Sequence, residues 1–136
     1  MSTAINEKNL VDAARQAARG AHAPYSKFRV GAALLVADGC EPEIVTGFNI
    51  ENASYGLTLC AERAALVHAL CRGFKKFSAL GLCAGVRQAA TPCGACRQFL
   101  AEFLAPETPV FYAALPEGSK IFKTTLGDLL PNGFRL

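Results

Sequence analysis

The sequence contains no tryptophan, one methionine and two histidines among its 136 residues. It has no apolar run near the roughly 20 residues that a membrane-spanning helix needs, and its first residues lack the basic and apolar regions of a signal peptide. Basic residues are scattered, and we interpret the densest pair, Lys75-Lys76, as a solvated turn rather than a nucleic-acid surface. We therefore expect a cytoplasmic protein that binds neither membrane nor nucleic acid.

The composition is that of a folded chain, with 51% apolar residues and a net charge of +3. A length of 136 residues predicts a single domain over residues 1–136. A chain of this size buries about two-thirds of its unfolded surface, so it needs no disulfides for stability. Six cysteines in a cytoplasmic chain therefore indicate a metal site or free thiols.

Hydrophobic periodicity predicts helices alternating with strands. The predicted helices are 5–19, 60–70, 93–104 and the short 126–130. The predicted strands are 28–37, 43–48, 78–85, 109–114 and 120–123. Asp38-Gly39 is a hairpin signal, so the first two strands should be antiparallel. This order predicts an α/β fold, a three-layer α/β/α sandwich around a mixed sheet of about five strands, with right-handed crossovers.

Two cysteine motifs carry the chemistry: Cys60-Ala61-Glu62, and Cys93 and Cys96 within Pro92-Cys93-Gly94-Ala95-Cys96. Three thiolates fill three of the four tetrahedral positions of zinc, and an open fourth position is typical of a catalytic site. Each motif begins a predicted helix, where unpaired N–H groups and the helix dipole favour thiolates. The sequence therefore predicts a zinc ion held by these three cysteines.

Glu62 follows the first cysteine by two residues and is not needed as a ligand. A cysteine-held zinc with a non-ligand glutamate is typical of zinc deaminases that act on nucleobases. Zinc lowers the pKa of bound water, and Glu62 can take a proton from that water and return it to the base and the departing amine. Arg63 is predicted to hydrogen-bond the ligand sulfurs and offset their charge. The alternatives are a first-turn glutamate that interacts with the helix dipole and a solvent-facing arginine.

A protein of another class, a structural-zinc or thiol-redox binding module, shares the Cys-x-x-Cys spacing. A structural site needs a fourth ligand, and the two histidines are poor candidates. His68 is predicted two turns along the same helix as Cys60, and His22 is predicted in a solvated loop. Such a module would show a closed metal site or a reversible disulfide, and no dependence on Glu62.

Beyond the motifs, the sequence resembles the small homotetrameric cytidine deaminases nearly end to end. The resemblance lies in Pro24-Tyr25-Ser26-Lys27-Phe28-Arg29-Val30-Gly31-Ala32-Ala33-Leu34, Asn49-Ile50-Glu51-Asn52-Ala53-Ser54-Tyr55, Cys93-Gly94-Ala95-Cys96-Arg97-Gln98 and Leu129-Leu130-Pro131. It implies hydrolysis of cytidine and deoxycytidine to uridine and deoxyuridine plus ammonia, in pyrimidine salvage, with one zinc per subunit. Its zinc hydroxide would attack C4 of the base.

The resemblance also implies roles for individual residues. Asn49 and Glu51 would bind the ribose hydroxyls, and Phe28 would line the pocket. Further implied contacts are backbone contacts to the base from Ala61 and Thr91, a subunit-boundary position for Tyr55, and stacking of Phe134 on the base in a neighbouring subunit's site. Turn chemistry in a polar loop is the alternative for Asn49 and Glu51, and a plain core contact is the alternative for Phe134.

Other members of the same superfamily are the remaining alternative, with blasticidin, a nucleotide or a base in nucleic acid as substrate. Nucleotide and nucleic-acid deaminases more often carry histidine where Cys60 stands, and blasticidin-type relatives lack the stretch around Asn49. The chain departs from the family pattern at three places. Phe48 replaces the usual cysteine and is predicted to reshape the wall behind the ribose. Residues 40–43 lengthen the first hairpin, and the sequence ends two residues after Phe134.

Overall fold

The computed structural model describes residues 5–136; residues 1–4 of the predicted domain lie outside the described residues. The helices are α1 (Glu7–Ala18), α2 (Ala61–Cys71), α3 (Gly94–Ala101) and α4 (Leu126–Leu129), with one 3₁₀ turn at Tyr55–Leu57. The strands are β1 (Val30–Val36), β2 (Glu43–Phe48), β3 (Phe77–Ala84), β4 (Pro109–Ala113) and β5 (Phe122–Thr125). No helix within residues 5–136 is long and apolar enough to cross a membrane.

The five strands form one mixed sheet in the order β2-β1-β3-β4-β5. Strand β1 runs antiparallel to both β2 and β3, β3 and β4 are parallel, and β5 returns antiparallel to β4. Gly31 pairs with Phe48 and Val30 pairs with Ala84. The start of β1 therefore meets the ends of β2 and β3 at one edge of the sheet.

Alternating side chains of the strands face two separate cores, as the period of a pleated strand requires. On β1, Ala32 and Leu34 pack with residues of α2 and α3, whereas Ala33 packs with residues of α1. Helix α1 therefore covers one face of the sheet, and α2, α3 and α4 cover the other. The predicted α/β/α sandwich with a mixed sheet of five strands is confirmed.

Candidate active site and metal centre

Cys60 and Cys93 are the N-cap residues of α2 and α3. Both have extended backbone angles, and neither side chain makes a capping hydrogen bond, so both sulfurs are free to face a ligand. Cys96 lies in the first turn of α3 and is buried. The ends of two helices thus bring the three cysteines together from separate parts of the chain.

The three sulfur atoms lie within 4.8 Å of one another, and the Cys60 and Cys93 sulfurs are 3.9 Å apart. Thiolates at the zinc–sulfur bond length of about 2.3 Å in a tetrahedral site are about 3.8 Å apart. The cluster fits zinc with small side-chain adjustments. His68, by contrast, places Nδ1 2.9 Å from the Thr46 carbonyl oxygen, and His22 is exposed.

Protonation within the cluster favours a thiolate at Cys60. A hydrogen bond from the Cys96 thiol and another from the Arg63 guanidinium lower the pKa of Cys60 to about 5. The hydrogen bond to Cys60, followed by burial, raises the pKa of Cys96. The thiolate is the metal-binding form of cysteine, so these hydrogen bonds favour the form of Cys60 that binds a metal ion.

Arg63 donates from its terminal Nη2 to the Cys60 sulfur at 3.3 Å. The same hydrogen bond raises the pKa of the guanidinium, so the group stays charged. Its Nε atom is buried and has no hydrogen-bond partner among the described residues. A cation held against the ligand sulfurs offsets part of the negative charge that three thiolates bring to zinc.

Glu62 lies in the first turn of α2 and is 4% exposed. Burial is the main cause that raises the pKa of its carboxyl group, and the neighbouring Cys60 charge acts in the same direction. A raised pKa is what a group that both accepts and donates a proton near neutral pH requires. Glu62 is not one of the three clustered metal-binding residues.

A cavity of about 320 Å³ opens beside the cysteines. This volume is within the range of small-molecule sites. Eight residues predicted from the sequence line the cavity: Phe28, Asn49, Glu51, Cys60, Ala61, Glu62, Thr91 and Cys93. The sheet edge where β1 begins and β2 and β3 end brings these distant residues together.

Asn49 directly follows β2, and its side chain is buried. Its Oδ1 accepts from the Val30 N–H at 2.9 Å, and its Nδ2 donates to the Phe28 carbonyl at 2.8 Å. An amide has two donor and two acceptor positions, so one of each stays available for a ligand. Asn49 therefore also shapes the loop that carries Phe28.

Glu51 accepts backbone hydrogen bonds from Tyr25 at 3.0 Å and Ser26 at 3.1 Å, and a further one from the Ser26 hydroxyl. The Ser26 hydroxyl bond is the main cause that lowers the pKa of Glu51, so the group is a carboxylate at neutral pH. Three of roughly four acceptor positions of the carboxylate are thus occupied by one loop.

Comparison with known proteins agrees with this geometry. A family model described as the cytidine and deoxycytidylate deaminase zinc-binding region matches residues 4–112. The chain belongs to the cytidine and deoxycytidylate deaminase family. Its three clustered cysteines lie within the matched zinc-binding region and are positioned to hold a metal ion.

Relatives match nearly the whole chain. A cytidine deaminase of Halalkalibacterium halodurans is 44% identical over 130 residues, 96% of this chain and 95% of that protein. A cytidine deaminase of Mycobacterium tuberculosis is 46% identical over 123 residues, 90% of this chain and 85% of that protein. The crystal structure of a Burkholderia pseudomallei cytidine deaminase superimposes with a TM-score of 0.86 at 42% identity, covering 96% of this chain and all of the other.

Two further residues predicted for this deaminase site lie outside the cavity. Tyr55 is 77% exposed and lines an adjoining cleft with Tyr25, whose ring centroid is 6.1 Å away. Phe134 is 65% exposed and lines neither the cavity nor the adjoining cleft. Its backbone carbonyl accepts from Gln98 of α3 at 3.1 Å.

Phe48 does not form the wall that the sequence led us to expect. It is absent from the cavity lining, and its ring packs toward Gly20 beside the end of α1. Successive residues of a strand face opposite sides, so Asn49 faces the cavity and Phe48 faces away.

Sequence reasoning assigned no role to several residues that the fold places at this deaminase site. Six of them line the cavity: Ser26, Val30, Thr58, Leu82, Ala84 and Ala90. Ser26 lies in a stretch that resembles the family, but its bond to Glu51 depends on a contact between residues 25 positions apart. No local pattern in the sequence reports such a contact.

Proposed function

We propose that the protein hydrolyses cytidine and deoxycytidine to uridine and deoxyuridine with release of ammonia, as an enzyme of pyrimidine salvage. One observation carries this proposal: a single cavity is lined by the buried acid Glu62, by Cys60 and Cys93 of the metal-binding cluster, and by the polar pair Asn49 and Glu51. The cavity volume suits one nucleoside. The relatives at 44% and 46% identity are themselves named cytidine deaminases.

Cys60, Cys93 and Cys96 would hold zinc, which when bound would lower the pKa of a water molecule. Oxygen from that water adds at C4 of the cytosine ring, and the exocyclic nitrogen leaves as ammonia. Glu62 takes one proton from the water and delivers it to the ring nitrogen N3, then takes the proton of the hydroxyl formed at C4 and transfers it to the leaving amine. Its burial and raised pKa support both directions of transfer.

The remaining side chains bind and orient the nucleoside. Asn49 and Glu51 hydrogen-bond the ribose hydroxyls with the positions that the Phe28 loop leaves free. Phe28, 47% exposed, offers an aromatic face to the substrate. The backbones of Ala61 and Thr91, which both line the cavity, contact the base.

We also propose that this one-domain chain acts in the cytoplasm as a homotetramer with shared sites. Large apolar side chains are exposed at the cleft that adjoins the cavity, on the 3₁₀ turn, on α3 and in the segments after it. They include Tyr25, Tyr55, Leu57, Phe99, Phe103 and Phe134. A protein that covers them with copies of itself loses a large apolar surface from water. Phe134 then enters a neighbour's site and stacks on the base.

The test is the ultraviolet absorbance change when zinc-loaded protein meets cytidine or deoxycytidine. We expect the wild type to consume both nucleosides, and Glu62→Gln to lose about 10²-fold or more in kcat, the usual contribution of general acid–base catalysis. Glu107→Gln, an exposed glutamate ahead of β4, is the matched control and should keep wild-type rates.

Zinc content is measured in every sample. A zinc-loaded wild type that leaves cytidine unchanged would refute the substrate assignment. Wild-type turnover by zinc-loaded Glu62→Gln would refute the proton-transfer role and leave the substrate assignment intact.

A further inference from the structure

Arg97 is the residue of α3 that binds the segment entering the metal site. Its Nε donates to the Pro92 carbonyl at 2.6 Å, and its Nη2 donates to the Thr91 hydroxyl at 2.9 Å. Its backbone N–H donates to the Cys93 carbonyl at 3.0 Å. The side chain thus holds Thr91 and Pro92, whereas the bond to Cys93 is the first backbone bond of α3.

The third side-chain bond of Arg97 goes elsewhere in the chain. Nη1 donates to the Leu129 carbonyl at 2.8 Å, at the end of α4. The guanidinium therefore joins the segment before α3 to the start of the C-terminal segment that carries Phe134. The side chain is only partly exposed, which limits competition from water for these bonds.

Thr91 and Pro92, which the Arg97 side chain holds, and Cys93, which follows them, lie at the cavity and the metal cluster. Thr91 lines the cavity, and Cys93 both lines it and belongs to the cysteine cluster. Pro92 is buried between them. Arg97 itself is not among the cavity-lining residues, so it acts on a ligand only through the residues that it holds.

We propose that Arg97 is a positioning residue for this site. Its planar fork of donors holds the Thr91 hydroxyl at the cavity proposed to take the pyrimidine and, through the Pro92 carbonyl, holds the Pro92–Cys93 peptide that leads into the metal cluster. Lysine cannot replace it, because a single ammonium does not bind three acceptors in a planar arrangement. The catalytic part of this inference rests on the proposed function; the metal part does not.

The experiment compares Arg97→Lys with Arg15→Lys. Arg15 is a matched control because it is a buried arginine that also donates to two backbone carbonyls, Leu115 at 2.7 Å and Ala114 at 3.2 Å. It lies on α1, across the sheet from the cysteines. Both substitutions keep the positive charge and remove the planar set of guanidinium donors.

Zinc release to a chromogenic chelator and steady-state kinetics with cytidine are measured on zinc-loaded proteins, with urea unfolding recorded for each. We expect Arg97→Lys to release zinc about 10-fold faster, the lower end of the effect of removing a group that orients a metal ligand. We also expect its KM to rise more than its kcat falls. Arg15→Lys should release zinc and bind cytidine as the wild type does, even if it unfolds at lower urea.

Wild-type zinc release or a wild-type KM in Arg97→Lys would overturn the proposal. Equal effects in Arg15→Lys would also overturn it, because general loss of stability would then explain both. If Arg97→Lys does not fold, Thr91→Val removes one acceptor of the fork and keeps the side-chain shape. A raised KM in Thr91→Val supports the proposal, and an unchanged KM overturns it. Zinc release needs no substrate, so a failure of the proposed function leaves that measurement valid.

Discussion

The Glu51 carboxylate accepts hydrogen bonds from the backbone, and we propose that it also accepts hydrogen bonds from a ligand. Its bonds to Tyr25 and Ser26 hold the loop that carries Phe28, and the Ser26 hydroxyl in turn accepts from the Phe28 N–H at 3.0 Å. Removing the hydroxyl would loosen Glu51 and Phe28 together. Ser26 therefore controls two of the proposed nucleoside contacts.

We expect Ser26→Ala to raise the KM for cytidine several-fold with little change in kcat. The Ser26 hydroxyl is the main cause that lowers the pKa of Glu51, with the two backbone N–H groups and the nearby His22 acting in the same direction. A lowered pKa keeps the carboxylate ionised as pH falls, so its interactions are lost only as pH falls through that value. Without the hydroxyl, the acid limb of the kcat/KM profile should move to higher pH.

Ser119→Ala is the control for this prediction, because the Ser119 hydroxyl donates to the Pro116 carbonyl in the turn before β5, away from the cavity. If the acid limb of the kcat/KM profile does not move in Ser26→Ala, the ionisation of Glu51 does not govern cytidine binding in that pH range.

At the scale of elements, α2 lies directly against β2 because Gly47 has no side chain. A Cβ at Gly47 would lie 2.3 Å from the Ala65 nitrogen of α2, closer than any relaxed contact. The obstructing atoms are helix backbone, which cannot move aside as a flexible side chain would. Since α2 carries Glu62 and has Cys60 as its N-cap, this contact sets the distance of both residues from the sheet.

Gly47→Ala should therefore lower the free energy of unfolding by about 3 kcal/mol, the upper part of the usual overpacking range, and reduce kcat. Gly56→Ala is the control, since nothing lies within 4 Å of a Cβ placed there. Urea unfolding and cytidine turnover check both variants. Equal stability of the two variants would show that α2 shifts away from the sheet at little cost.

The elements themselves followed well from the sequence, and β2 was predicted with its observed bounds of Glu43–Phe48. The errors are in the bounds of strands, where contacts between distant residues determine the first and last residue. The first strand was predicted from residue 28 but begins at Val30, because Asn49 holds Phe28 and Val30 by their backbones. The last strand was predicted at 120–123 but is Phe122–Thr125, since its pairing with β4 sets its position.

The site shows the same division. The motif spacing predicted the three cysteines and Glu62 as site residues, because metal chemistry constrains residue type and separation. Ser26 and Arg97 were not assigned roles because their partners are reached through folding: 25 positions separate Ser26 from Glu51, and 32 separate Arg97 from Leu129.

At the scale of the whole molecule, the exposed Phe134 is the proposed link between subunits. Gln98 binds its carbonyl, and Arg135 donates to the Ala101 carbonyl at 2.8 Å and the Leu104 carbonyl at 3.1 Å. These bonds fasten the end of the chain to α3. The backbone around Phe134 is therefore held in place while its ring stays exposed, as a contact with a second subunit requires.

We expect Phe134→Ala to keep its zinc and raise the KM for cytidine. Mixed with the inactive Glu62→Gln under conditions that exchange subunits, it should regain low-KM turnover, because Phe134 from one chain would complete a site holding Glu62 from the other. Light scattering should give a tetramer for each protein. Mixtures that show only the high-KM activity of Phe134→Ala would contradict a shared site.

The position of Cys60 and Cys93 at two helix ends has a consequence for the unfolded chain. The two residues are separated by 33 positions, and a common metal ion closes the chain between them into a loop. Closing a loop of this length removes conformational entropy from the unfolded chain equivalent to about 3–4 kcal/mol in the chain-entropy model of cross-links. The ion that activates water thus also acts as a reversible cross-link, a function that disulfides perform in oxidising compartments.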